Sequence, residues 1–121
     1  MSDMAFPAER FAGVERLYGT GSVATLAHAH VCVIGIGGVG SWAAEALARS
    51  GVGRLTLIDA DEVCVSNTNR QLHALDGEFG KSKVGVIAAR AQAINPAIQL
   101  EPIERFLTPS TLDELLDRGY D

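Results

Sequence analysis

Cysteine is scarce. Cys32 and Cys64 are the only two in 121 residues, too few for a disulfide framework, so the expected setting is reducing and cytoplasmic. Positive charge is also in short supply: 10 Lys and Arg stand against 15 Asp and Glu, a net charge of −5. That balance excludes a broad basic face for nucleic acid and leaves room only for a local basic patch. No apolar run approaches the roughly 18 residues that span a bilayer, so no membrane segment is expected. The opening MSDMAFPAERF has neither the basic nor the apolar region of a signal peptide. Repeats, low-complexity tracts and long linkers are missing as well. What remains is 47% hydrophobic with a mean hydropathy of +0.15, enough to bury the core of one modest domain.

The apolar pattern alternates between two periods. Residues 9–28 read as two short helices broken near Gly19-Thr20-Gly21. Residues 31–36 form a short continuous apolar run, the pattern of a strand covered on both faces. A helix rich in small residues is expected over 38–49, stopped by Gly51 and Gly53. A second buried strand covers 55–58 and ends at Asp59. Residues 61–80 are polar and irregular, with room for one short helix. A third main helix spans 81–94, with Val84, Ile87, Ala88, Ala91 and Ile94 on one face. A weak strand at 98–103 is interrupted by Pro102, and residues 112–116 suggest a last helix. The β-α-β-α-β-α order implies an α/β fold, a Rossmann-like parallel sheet with helices on both faces. It divides into an N-terminal helical arm (1–30) and a nucleotide-binding half (31–121). A fourth strand is expected next, so the chain reads as the amino-terminal part of a longer protein.

Chemistry concentrates at the strand ends. Gly35, Gly37 and Gly40 fit G-x-G-x-x-G, with strand before and helix after, so that backbone and helix N-terminus can approach a phosphate. Asp59 follows Gly40 by 19 residues, close to the spacing of an acid that hydrogen-bonds a ribose. A redox domain would now enter another crossover helix. Here come Ser66, Asn67, Thr68, Asn69, Arg70 and Gln71 instead, donors suited to phosphate oxygens, with Arg70 able to offer a planar fork. Gly80-Lys81-Ser82-Lys83 opens the next helix. Lys83 is expected on its first turn, pointing away from the apolar face, where a cation opposes the helix dipole unless an anion is bound.

In combination, GIGGVG, LIDADEV, SNTNRQ and GKSK resemble the ubiquitin-activating-enzyme-like adenylyltransferases. The longer strings RFAGVERLYG, VIGIGGVGSWAAEALARSG, VCVSNTNRQLHAL and INP are similar to one branch, the tRNA threonylcarbamoyladenosine dehydratases. The resemblance runs from about Arg10 to Asp121. It implies that ATP activates a carboxylate as an acyl adenylate, and that the carboxylate belongs to a threonylcarbamoyl group on a tRNA adenosine, which then cyclises with net dehydration. It implies that Gly38 lies beneath the nucleotide, Asp59 holds the ribose, and Ser66 through Arg70 line the phosphates. Asn69 and Arg70 contact phosphate oxygens, Lys83 stabilises departing pyrophosphate, and Asp61 supports the phosphate side. Mg2+ is implied too, its main aspartate expected on a strand beyond residue 121, so no metal ligand is assigned within the chain. A homodimer is implied in which an N-terminal arginine reaches the partner's ATP. Arg16 is the candidate and Arg10 the alternative.

Other readings stand beside this one. An adenylyltransferase for the C-terminus of a ubiquitin-like sulfur carrier, with a sulfur-transfer partner protein, shares the ATP site; a downstream CxxC zinc pair would mark it. An NAD-dependent oxidoreductase suits Asp59 but leaves SNTNRQ and Lys83 without a role. A non-catalytic binding or dimerisation module is the fourth. Cys32 reads as a small core residue and Cys64 as a packed loop residue. His73 reads as a structural hydrogen-bonding group and Trp42 as a packing residue at a helix or subunit contact. His28 and His30 lack metal-ligand spacing.

Overall fold

The computed structural model describes residues 9–121. Two short helices come first, α1 (Ala12–Tyr18) and α2 (Ser22–Ala27). The alternating part follows: β1 (His30–Ile34), α3 (Gly40–Arg49), β2 (Arg54–Ile58), α4 (Lys83–Ile94), β3 (Gln99–Ile103) and α5 (Leu112–Leu116). The strands lie in the order β1-β2-β3 and all run parallel. Ile34, Ile58 and Ile103 stand side by side in the register. The three strands therefore end flush, and the residues that follow them share one edge of the sheet.

The core explains the sequence pattern. Leu55 and Leu57 of β2 are fully buried together with Ala44 and Ala48 of α3 and Val84, Ile87 and Ala91 of α4. Each buried leucine contributes about 1.5–3 kcal/mol, and the alanines let two helices lie close on the same face of the sheet. Glu45 on α3 ties those helices together. Its carboxylate accepts from Arg90 Nε and Nη2 on α4 and from Arg49 Nε one turn along α3. Arg90 first, despite the opposing effect of burial, and then Arg49 hold that carboxyl below its usual range.

The opposite face is polar at its centre. His30 Nε2 donates to Thr56 Oγ1 (2.8 Å), and Thr56 donates to Glu101 Oε1 (2.8 Å). Arg118, just past α5, closes the row on Glu101 at 3.2 Å. The Tyr120 ring stands edge-on to His30 with centroids 4.7 Å apart. Helices thus flank both faces, as the alternating pattern predicts. The outer edge of β1 is met at its first residue, where Asp121 N–H donates to the His30 carbonyl and Asp121 Oδ2 accepts the His30 N–H, each at 2.8 Å.

α1 and α2 sit at the opposite end of the sheet from those flush strand ends. Gly53 N–H, just before β2, donates to Leu26 O at 3.0 Å, and Phe11 is buried against Gly51. Glu15 joins the two helices by accepting from Gly21 N–H and Val23 N–H, both at 3.0 Å.

Three sequence expectations change. β3 is not interrupted at Pro102, which pairs with Leu57; β3 is an edge strand, where a missing N–H is tolerated. Cys32 is half-buried rather than a core residue, because β1 is the other edge of this sheet. Cys64 is exposed rather than packed, its thiol 3.5 Å from the Glu62 carbonyl.

Candidate nucleotide site

The glycine turn begins where β1 ends. Gly35 has a φ of +85°, a conformation that L side chains rarely adopt, and its N–H donates to Ile58 O at 2.9 Å. A Cβ on Gly40 would lie 1.7 Å from the Gly35 carbonyl oxygen, so the start of α3 rests directly on the turn. Gly37 and Gly38 differ. Neither has a positive φ, and a Cβ on either would meet only the Gln71 or Arg70 side chain, at an ordinary 3.6 Å. Nothing within the chain demands glycine at these two positions. Both lie beside the N-terminus of α3, whose terminal N–H groups and dipole favour an anion.

Asp59 follows β2 at the same edge. Its N–H donates to Ile103 O at 3.2 Å. Its two carboxylate oxygens are held separately, Oδ2 accepting Ile36 N–H at 2.6 Å and Oδ1 accepting Asp61 N–H at 2.8 Å. The carboxylate is thereby fixed beside the turn, half-buried.

Residues 64–73 are fastened over that turn. A 3-10 turn at Val65–Asn67 places the Asn67 side-chain oxygen on Cys64 N–H at 2.8 Å. Arg70 then folds back, donating from Nη1 to Ser66 O (3.1 Å) and Asn69 Oδ1 (2.9 Å). Three bonds latch this segment to the glycine turn and α3. Trp42 Nε1 donates to Arg70 O at 2.9 Å. Leu72 N–H donates to Ser41 Oγ at 3.2 Å, and that hydroxyl donates to Gly37 O. His73 Nε2 lies 2.8 Å from Ile36 O.

Lys83 departs from expectation. Rather than pointing to solvent, it is only 7% exposed. The β2–α4 connection folds over the first turn of α4: Val63 N–H donates to Lys81 O, Gly80 N–H to Val63 O, and Lys83 N–H to Asp61 O. That cover buries the lysine stem, and its ammonium has no ion pair among the described residues. Two buried polar atoms among the described residues, Gln71 Oε1 and His73 Nδ1, lack a hydrogen-bond partner. A half-buried acid, a lysine with a buried stem and an unpaired ammonium, and the glycine turn together suit a ribose followed by phosphates.

The structure brings Gly35, Gly37, Gly38, Gly40, Asp59, Asp61, Ser66, Asn67, Asn69, Arg70 and Lys83 to one end of the sheet. Asn67 is buried there, its side-chain oxygen occupied by Cys64, and Asp61 contributes backbone groups to Asp59 and Lys83. Arg16 and Arg10 are not brought to it. Arg16 lies on α1 at the far end, and Arg10 Nη1 donates to Ile94 O at the C-terminus of α4. Sequence reasoning missed Ser41, fully buried as a bridge between turn and loop. Its one signal was a small hydroxyl among apolar residues on the inward side of a helix. Trp42 is half-exposed rather than packed away, and its indole N–H serves the loop.

A parallel three-stranded sheet with a glycine turn, an acid and a polar loop carrying Arg70 at its carboxyl edge has the architecture of the nucleotide-binding α/β proteins. The ThiF family model matches residues 10–121, and the chain belongs to that family. It is 54% identical over 113 residues to the tRNA threonylcarbamoyladenosine dehydratase of Haemophilus influenzae, covering 93% of this chain and 43% of that protein. The Escherichia coli dehydratase bound to ATP superposes with a TM-score of 0.92 at 51% identity, over 93% of this chain and 46% of that one. The pig adenylyltransferase and sulfurtransferase MOCS3 is 43% identical over 79% of this chain and 21% of its own length. The chain spans less than half the length of these relatives.

Proposed function

We propose that the chain provides the ATP-binding part of an enzyme that adenylates a carboxylate, in the manner of the tRNA threonylcarbamoyladenosine dehydratases. The observation that carries this reading is the pairing of Gly37 and Gly38, glycines with no internal need to be glycine, with Lys83, whose stem is buried and whose ammonium has no ion pair among the described residues. Bare backbone leaves space for a nucleotide, and the lysine lacks a counter-charge that phosphate would supply. The high identity to dehydratases supports the tRNA substrate over the sulfur-carrier alternative.

In this reading Asp59 accepts hydrogen bonds from the ribose hydroxyls, and Gly37 and Gly38 lie against the nucleotide. Asn69, Arg70 and Lys83 hold phosphate oxygens. A carboxylate and a triphosphate repel each other, so their encounter requires charge neutralisation as well as positioning. The carboxylate oxygen of the threonylcarbamoyl group attacks the α-phosphorus, the bond to the β-phosphate oxygen breaks, and pyrophosphate leaves. Arg70 and Lys83 stabilise the charge that develops there. The acyl adenylate then closes intramolecularly and AMP departs, so ATP drives the loss of water. Mg2+ would supply further charge neutralisation at this site; among the described residues no group of three carboxylate, histidine or cysteine ligands is assembled for it. Arg16, remote from this chain's own turn, serves the ATP of a second copy in a homodimer. Action in the cytoplasm and a sulfur-transfer partner belong to the same proposal, the latter only for the sulfur-carrier alternative.

Calorimetric titration of the chain with ATP and Mg2+, beside NAD, tests the nucleotide. ATP is expected to bind, and Arg70→Ala to weaken it about tenfold through loss of a charged hydrogen bond. NAD bound in preference and indifferent to Arg70→Ala would overturn the reading.

A further inference from the structure

We infer that His73 is a positioning residue for the ribose, acting through the backbone of Ile36 on Asp59; this rests on the ATP reading above. Ile36 lies between Gly35 and Gly37, two residues whose backbones swivel with little steric restraint. A turn built this way has no fixed geometry unless something pins it. Both sides of Ile36 are pinned. Its N–H donates to Asp59 Oδ2 at 2.6 Å, and its carbonyl lies 2.8 Å from His73 Nε2. The Ile36 side chain is fully buried, which anchors the residue in the core.

The partner dictates the histidine's chemical state. A carbonyl oxygen only accepts, so Nε2 carries the proton and donates. Nδ1 is then a lone pair in the neutral ring, and it is buried without a partner. Protonating it would bury a positive charge near Lys83, with no acceptor waiting. Burial first, and the Lys83 charge after it, push the His73 pKa below its usual value, against the Ile36 bond and the Asp59 charge, which act the other way. His73 is 1% exposed, so it meets no substrate itself. Its segment is held to α3 by Trp42 and Ser41, and this gives the ring a fixed base from which to hold the turn. Without that hold, Asp59 keeps its charge while the Ile36 N–H that orients Oδ2 drifts.

The test separates ribose positioning from general packing. Affinities for ATP and for 2′,3′-dideoxyATP, which lacks the hydroxyls, are measured by calorimetry at neutral pH for the chain and for Asp59→Asn, His73→Leu and His73→Gln. The chain is expected to prefer ATP about tenfold, the contribution of a charge-assisted hydrogen bond. Asp59→Asn and His73→Leu should both lose most of that preference while binding dideoxyATP as before. His73→Gln, whose amide N–H can reach the same carbonyl, should restore it. A His73→Leu variant that weakens both nucleotides equally, or keeps the preference, overturns the inference. Should the leucine variant fail to fold, side-chain 15N NMR of the unaltered chain decides. A neutral Nε2–H tautomer that does not titrate near pH 6.5 supports the inference, and an Nδ1–H tautomer or an ordinary titration overturns it. Equal binding of ATP and dideoxyATP by the unaltered chain overturns it while leaving the ATP reading intact. Binding of neither removes the ATP reading and this inference together.

Discussion

Lys83 is a cation that the fold itself does not pair. The residue is 7% exposed, so its stem is buried, and its ammonium has no ion pair among the described residues. Its replacement by methionine, similar in length and uncharged, keeps the packing of the stem and is expected to leave urea unfolding within about 0.5 kcal/mol of the original. The same variant should lose ATP affinity by at least about tenfold. Lost binding with unchanged stability marks a residue kept for its ligand; a variant less stable and equally good at binding ATP would make the lysine structural. Gly37 and Gly38 are glycines that the turn itself does not require, whereas Gly35 and Gly40 are required by it.

At the scale of elements, the contact between the end of β1 and the start of α3 determines whether the site exists. A Cβ at Gly40 would lie 1.7 Å from the Gly35 carbonyl oxygen, a backbone atom that cannot rotate away. Gly40→Ala is therefore expected to cost about 3 kcal/mol or more in denaturant unfolding, or to push α3 off the turn with loss of ATP binding. Gly37→Ala meets only the end of Gln71 at 3.6 Å and should leave unfolding within about 0.5 kcal/mol of the original. Equal destabilisation by the two would contradict this assignment. The loop from 59 to 80 is an element of the same kind. It has almost no regular structure, yet its backbone bonds to Lys81 and Lys83 and its latches on Ser41 and Trp42 place Arg70 beside the glycine turn.

For the whole molecule, the two buried histidines couple stability to pH. Burial is the leading cause that lowers both, joined at His30 by the Arg54 charge and at His73 by Lys83. The unfolded chain takes up a proton at each more readily than the folded chain below about pH 6.5, so stability falls as pH drops through that value. Urea titrations below about pH 6.5 should show stability falling with pH, with a slope of at most about 1.4 kcal/mol per pH unit for each histidine. His73→Gln should remove its share of that slope. A flat profile in this window would mean that the histidines titrate alike in both states. Glu45 and Glu15, held low by Arg90 and by the Val23 N–H respectively, act in the same direction only at more acid pH.

Much of this was written in local pattern. Residues 112–116 and the break at Gly19–Gly21 are where periodicity puts them, as are the buried faces of α3 and α4, because apolar spacing and glycine act over a few residues. The motifs put Gly35, Gly40 and Asp59 in sequence order, and parallel connection brings them to one sheet edge. The sequence could not place Lys83, since its burial depends on a loop that folds back from twenty residues away. Nor could it reveal Ser41 as a bridge, His73 as the anchor of Ile36, or Pro102 as a tolerated edge residue. By itself the sequence determined the α/β alternation, the glycine turn and the residue types offered to a nucleotide, all consequences of short-range sterics and hydrophobic period. Only the tertiary structure decided which of those side chains are buried, paired or left without a partner, because hydrogen bonding and desolvation depend on neighbours that the chain brings together only when it folds.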